Sequence, residues 1–233
     1  MELRAQTGTF AEVVAGLEPD EKVPTCPEWL LRDLVGHIGQ APRWVAGNLR
    51  SGAPAPVPDP RDAEPGPRAG WTDWLLAGAD ELLDAVAEVG ADTTVWTIVG
   101  PRPARWWVRR LLADLVVHTA DAAFTADVPY PVSAERAADT ISEGLELLAT
   151  PGLASFPGDR EGTIALRPST GDGWLITRTT AGHAWSQGAA AADVTLRGST
   201  QDLLLVLMRR IPLDQVTVTG DRALAAELLT YSV

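Results

Sequence analysis

The sequence predicts an α+β protein: a helical bundle followed by a small α+β domain with an antiparallel sheet. Three observations carry this. Apolar residues recur with a helical period up to about residue 150. The composition then changes over 151–158, where two prolines and two glycines form a linker. Beyond it, short apolar-polar runs are separated by turn residues such as Gly171-Asp172-Gly173. A chain of 233 residues with 45% hydrophobic and 21% charged residues has enough apolar material for one large or two small cores.

The elements follow in order. A first helix is expected over 3–17. Thr25 and Glu28 have the T-x-x-E spacing of a capping box, with Pro27 in the first turn. Leu31, Leu34, Val35, Ile38 and Val45 then give a second helix its apolar face. Pro42 lies inside it, removes the hydrogen bond to the Ile38 carbonyl and predicts a kink one turn after His37. Six prolines over 51–68 make that stretch a loop. Helices follow over 71–89, 104–126 and 134–149, an up-and-down bundle with one long crossover loop. Past the linker, strands are expected over 163–166, 174–179, 183–186 and 193–196. A helix over 200–210, a strand over 215–219 and a helix over 221–229 complete the chain. The domains are therefore 1–150 and 159–233.

The net charge of −12 argues against nucleic acid and anionic membrane as partners, since both are held by surplus Lys and Arg. The first ten residues lack a signal-peptide pattern, and no apolar run approaches a membrane span, so a cytoplasmic protein is expected. Cys26 is the single cysteine, so no intramolecular disulfide forms. Its place near a helix start would lower a thiol pKa, against the alternative of a buried structural cysteine.

Three histidines are the first candidates for chemistry. His118 follows Asp114 by four residues, so both face one side of the fourth helix. His37 sits near the buried face of the second helix. If those helices are neighbours, His37, Asp114 and His118 converge as three ligands with an open fourth position, the catalytic zinc pattern. The alternative is a set of hydrogen-bonded core residues. Asp121, three residues beyond His118, is placed to orient an imidazole or to face solvent. His183 reads as structural on a strand. Arg109 and Arg110 read as anion binders or solvent-facing residues. Of nine tryptophans, Trp29, Trp44, Trp74 and Trp107 read as core residues on helical apolar faces, or as walls of a pocket for a flat ligand.

The segments Val23-Pro24-Thr25-Cys26-Pro27-Glu28-Trp29, Asp33-Leu34-Val35-Gly36-His37 and Arg43-Trp44 resemble the start of the mycothiol-dependent maleylpyruvate isomerase family. So do Trp107-Val108-Arg109-Arg110 with Asp114, His118 and Asp121, and the stretches 131–141, 193–198, 203–210 and 218–221. The resemblance implies a DinB-like four-helix bundle followed by a small domain similar to sterol carrier proteins. It also implies a divalent metal, usually zinc, held by His37, Asp114 and His118, with mycothiol as thiol cosubstrate. The metal would hold the thiol as a nucleophilic thiolate, either to isomerise an activated double bond or to transfer the thiol. The family has Glu where this chain has Asp114, one methylene shorter, and an arginine of the second domain for the substrate carboxylate. Arg197, Arg210 and Arg222 are the candidates for that arginine.

Three readings follow. The first is a metal-dependent mycothiol enzyme, isomerase or S-transferase, acting on a small electrophile. The second is the same scaffold repurposed for a metal-independent reaction. The third is a non-catalytic protein that binds a small ligand. A monomer or homodimer fits each.

Overall fold

The computed structural model describes residues 2–153, 160–180, 182–188 and 190–230. Residues 154–158 of the expected linker, and the ends of the expected second domain at 159 and 231–233, lie outside them. The chain divides into two compact units, Met1–Tyr130 and Pro131–Val233.

The first unit is a four-helix bundle of α1 (Glu2–Val14), α2 (Leu31–Ser51), α3 (Trp71–Val89) and α4 (Arg105–Ala126). Helices α1 and α2 each pack on both α3 and α4. Helix α4 buries residues around most of its circumference, from Trp106 and Trp107 through Leu111, Leu115 and Val116 to Ala122. Such a helix belongs to the core, and polar residues on it need partners. Helices α2 and α3 approach closely at Gly39, where a Cβ would enter the ring of Trp74. Arg43, one turn on, caps the same ring from 4.5 Å and donates to the Trp74 carbonyl at 2.7 Å.

One local expectation is corrected. The T-x-x-E segment does not start a helix; it forms turns, and α2 begins at Leu31, where Asp33 accepts the Leu30 N–H at 2.9 Å. Thr25 is engaged over a long range instead, as described below. Pro42 lies inside α2, which runs from Leu31 to Ser51. It lies with Ile38, Leu111, Leu115 and Asp114 on a narrow crevice.

The proline-rich loop is laid along α2. Ala55 bonds Asn48 and Trp44 with its N–H and carbonyl, and the Asp59 carbonyl accepts from Gln40. Pro60 comes so close to Gly36 that a Cβ there would lie 2.6 Å from its carbonyl oxygen. The loop thus reaches the residue beside His37. A short hairpin, β1 (Thr94–Val95) with β2 (Arg102–Pro103), precedes α4 and has no counterpart in the sequence reading.

The second unit comprises α5 (Ala134–Leu148), β3 (Gly162–Pro168), β4 (Trp174–Thr179), β5 (Gly182–Gln187), β6 (Val194–Gly198), α6 (Thr200–Leu207), β7 (Thr217–Gly220) and α7 (Arg222–Leu228). The sheet order is β5-β4-β3-β6-β7, antiparallel except for the β3–β6 pair, which is parallel. The division of the chain falls after Tyr130 and not at 150. The reason is the apolar face of α5: Ala137, Ile141, Leu145 and Leu148 are buried, and the helix packs on α6 and β5. Ser133, Ser199 and Asp221 cap α5, α6 and α7 by accepting backbone N–H groups.

Candidate metal centre

Helices α2 and α4 bring His37, Asp114 and His118 together. The Asp114 Oδ2 lies 3.0 Å from His37 Nε2, and its Oδ1 lies 4.0 Å from His118 Nε2. The two imidazole rings meet edge to face with centroids 4.8 Å apart. The polar heads are part-buried: the side chains of His37, Asp114 and His118 are 27%, 15% and 10% exposed. Solvent therefore reaches the cluster chiefly from the His37 side.

Asp121 acts on the other nitrogen of His118. Its Oδ2 is 2.7 Å from His118 Nδ1, and its side chain is fully buried. The Thr25 hydroxyl donates to Oδ1 at 2.6 Å, and the Cys26 thiol to Oδ2 at 3.5 Å. A carboxylate only accepts, so the proton of His118 is placed on Nδ1 and the Nε2 lone pair faces Asp114. A ligating histidine needs this arrangement. The turns around Thr25 thus close the back of the site.

Trp29 walls the site. Its ring lies 5.1 Å from the His37 ring and 5.7 Å, stacked, from that of His118. It stands in the turn before α2 and not on a helical apolar face, which corrects the sequence expectation. Among the other tryptophans, Trp44, Trp96 and Trp107 form an aromatic cluster, and Trp74 lies under Arg43.

Arg110 belongs to the centre. Its guanidinium donates to Asp114 Oδ1 at 2.6 Å from one turn earlier on α4. It is neither solvent-facing nor a free anion binder. Burial raises the Asp114 pKa, but the charge of Arg110, with further electrostatic contributions from the His37 and His118 imidazoles, outweighs it and holds the carboxyl far below the ordinary range. Asp114 is therefore an anion at every working pH.

These residues fit a divalent cation. Two imidazoles and a carboxylate are zinc donors, and a tetrahedral ion with bonds near 2.1 Å sets its donors about 3.4 Å apart. The three donor atoms here lie within 4.8 Å of one another, and two are already 3.0 Å apart. A second donor group, Cys26, His118 and Asp121, shares His118 from its Nδ1 side.

Residues 1–123 match the family model of the mycothiol maleylpyruvate isomerase N-terminal domain. The chain belongs to this family. No curated protein matches the sequence. Two crystal structures of the mycothiol-dependent maleylpyruvate isomerase, one of a single-site variant, are similar in fold. Their TM-scores are 0.59 for the variant and 0.55; each is 13% identical, over 94% of this chain and 90% of theirs. That likeness extends the shared α+β architecture of the family beyond the bundle. Among the described residues, no helix is long and apolar enough to cross a membrane.

The remaining candidates lie in the second unit. Arg197 is exposed on β6, Arg222 is exposed at the start of α7, and Arg210 donates to the Met208 carbonyl at 2.7 Å. His183 sits on β5 opposite Arg178; burial, then the charge of Arg178, lowers its pKa. The sequence reading named Arg110 and Trp29 but not their partners; the pairing of Arg110 with Asp114 had one local signal, their spacing of four residues.

Proposed function

We propose that His37, Asp114 and His118 hold one divalent cation, zinc by donor type, and that the protein is a mycothiol-dependent isomerase of the maleylpyruvate class. The observation that supports this most is the convergence of three donors from two helices with the back nitrogen of His118 fixed by a buried carboxylate. The bound cation would supply Lewis acidity, lowering the pKa of a thiol docked on it so that the thiol is held as thiolate.

The chain's own residues do the rest. Asp121 keeps the His118 lone pair on Nε2. Trp29 packs on both imidazoles and walls the site beside which a thiol and an electrophile would meet. The thiol so held would supply a nucleophile that can add to an activated double bond and leave again, so that the double bond changes geometry with no net change in atoms or electrons. Trapping of the adduct by a proton instead would make the activity an S-transfer. An arginine for the substrate carboxylate, one of Arg197, Arg210 and Arg222, belongs to the same proposal. Lysine substitutions at each, read as a rise in KM with kcat kept, assign it.

The test is metal content on protein purified without chelator, followed by mycothiol-dependent isomerisation of maleylpyruvate. About one zinc per chain, lost in H118A, with activity that needs the thiol, is the expected result. No metal after zinc is supplied sinks this reading and leaves a repurposed or ligand-binding pocket.

A further inference from the structure

Asp114 is shared between two kinds of partner, and its two oxygens are divided between them. Oδ2 faces His37 at 3.0 Å, while Oδ1 is taken by the Arg110 guanidinium at 2.6 Å and is only 4.0 Å from His118 Nε2. Both members of the ion pair are largely buried, with side chains 19% and 15% exposed, so solvent screens the guanidinium little. A cation entering the His37, Asp114 and His118 cluster therefore meets a carboxylate whose charge is already balanced. It also meets a fixed positive charge on the far side of that carboxylate.

We propose that Arg110 is a positioning residue that acts through Asp114: it restricts the carboxylate to one metal-facing oxygen, weakens the hold on the cation and leaves the loaded site more positive toward anionic ligands. This rests on the metal reading above. The short side chain gives the idea its geometry. Aspartate brings its carboxyl to the cluster close to its own helix, within reach of a residue one turn back. With Oδ1 committed to Arg110, Oδ2, beside His37 at 3.0 Å, is the oxygen left for a metal. A metal held by two neutral imidazoles and a charge-balanced carboxylate keeps most of its positive charge. Its pull on a thiolate is correspondingly stronger, while its own retention is poorer.

The two effects have opposite signs, which separates them from a loss of structure. Zinc affinity is measured by competition with a chromogenic chelator on wild type, R110Q, R110A and R110K. Cobalt-loaded protein is titrated with 2-mercaptoethanol at fixed pH, following the sulfur-to-cobalt absorption band. R110Q, which keeps a donor near Oδ1 but removes the charge, is expected to bind zinc roughly tenfold tighter and the thiol roughly threefold more weakly. R110A moves the same way and serves if R110Q does not fold. R110K keeps the charge and stays near wild type in both.

Zinc binding by R110Q or R110A that is unchanged or weaker overturns the proposal, as does tightening by R110K equal to that of R110Q. Zinc binding by the neutral variants but not by wild type supports it in its strongest form. If no variant and no wild-type protein binds zinc, the metal reading itself has failed and this inference falls with it. Failure of the inference alone leaves wild-type binding intact.

Discussion

Asp114 and Asp121 lie on α4 on either side of His118, and each reaches one nitrogen of the same imidazole. Asp121 is sealed, its oxygens taken by the Thr25 hydroxyl, the Cys26 thiol and His118 Nδ1. Asp114 is partly open and faces two imidazoles and a guanidinium. The same side chain on the same helix thus does two jobs, and the job is set by what surrounds it. Neutral donors in a closed site fix a proton. Cationic and lone-pair partners in an open one make a ligand set.

The comparison breaks most visibly at Asp121. D121A removes the acceptor for a buried imidazole N–H and a part-buried hydroxyl, and should cost about 3 kcal/mol of stability, read by chemical denaturation. D121N tests orientation with less damage. Its amide can donate to Nδ1, move the proton of His118 to Nε2 and so disable that nitrogen as a ligand. Zinc affinity should fall roughly 10- to 100-fold by chelator competition. Affinity within a factor of two of wild type would show that Asp121 does not set the tautomer.

Asp114 carries the next effect, and it depends on pH. Its folded-state pKa is below the ordinary 3.8, so its charge contributes stability that is fully present above that value and lost as pH falls through the folded one. In chelator-treated protein, wild type should exceed D114N by about 2 kcal/mol, for the charge-assisted bond to Arg110. The gap should narrow as pH falls below about 4. A gap that widens below that pH contradicts the assignment. T25V should be milder, about 1 kcal/mol, because one neutral donor is lost while His118 keeps its partner.

The sequence carried the helices of the bundle because their apolar periods are local, and it carried the Asp114–His118 pair because one turn separates them. It placed Thr25 in a capping box because the pattern is local too, yet its hydroxyl is claimed by Asp121 on another helix. Such long-range competition leaves no trace in spacing. The division of the chain after Tyr130 left no local mark for a related reason. Prolines and glycines after Thr150 looked like a division, but what decides is where the apolar face of α5 is buried. Arg110 was the legible miss: its spacing from Asp114 matches that of His118, on the opposite side.

Cys26 gives the smallest expected effect and the sharpest choice between the two sides of His118. Its thiol, half-buried, makes a long contact of 3.5 Å with Asp121, which already has stronger partners. If the cation belongs with His37 and Asp114, C26A should shift stability by under about 0.5 kcal/mol and zinc affinity by less than threefold. The alternative donor group of Cys26, His118 and Asp121 predicts the reverse. There, C26A loses the metal while H37A keeps it, and a cobalt-loaded protein shows a sulfur-to-cobalt band before any thiol is added. Asp121 argues against that outcome. A carboxylate that accepts from a hydroxyl, a thiol and an imidazole at once would have to give up two of those bonds, in a place closed to water, to take a metal. Asp114 needs to give up only the bond to His37, with solvent at hand.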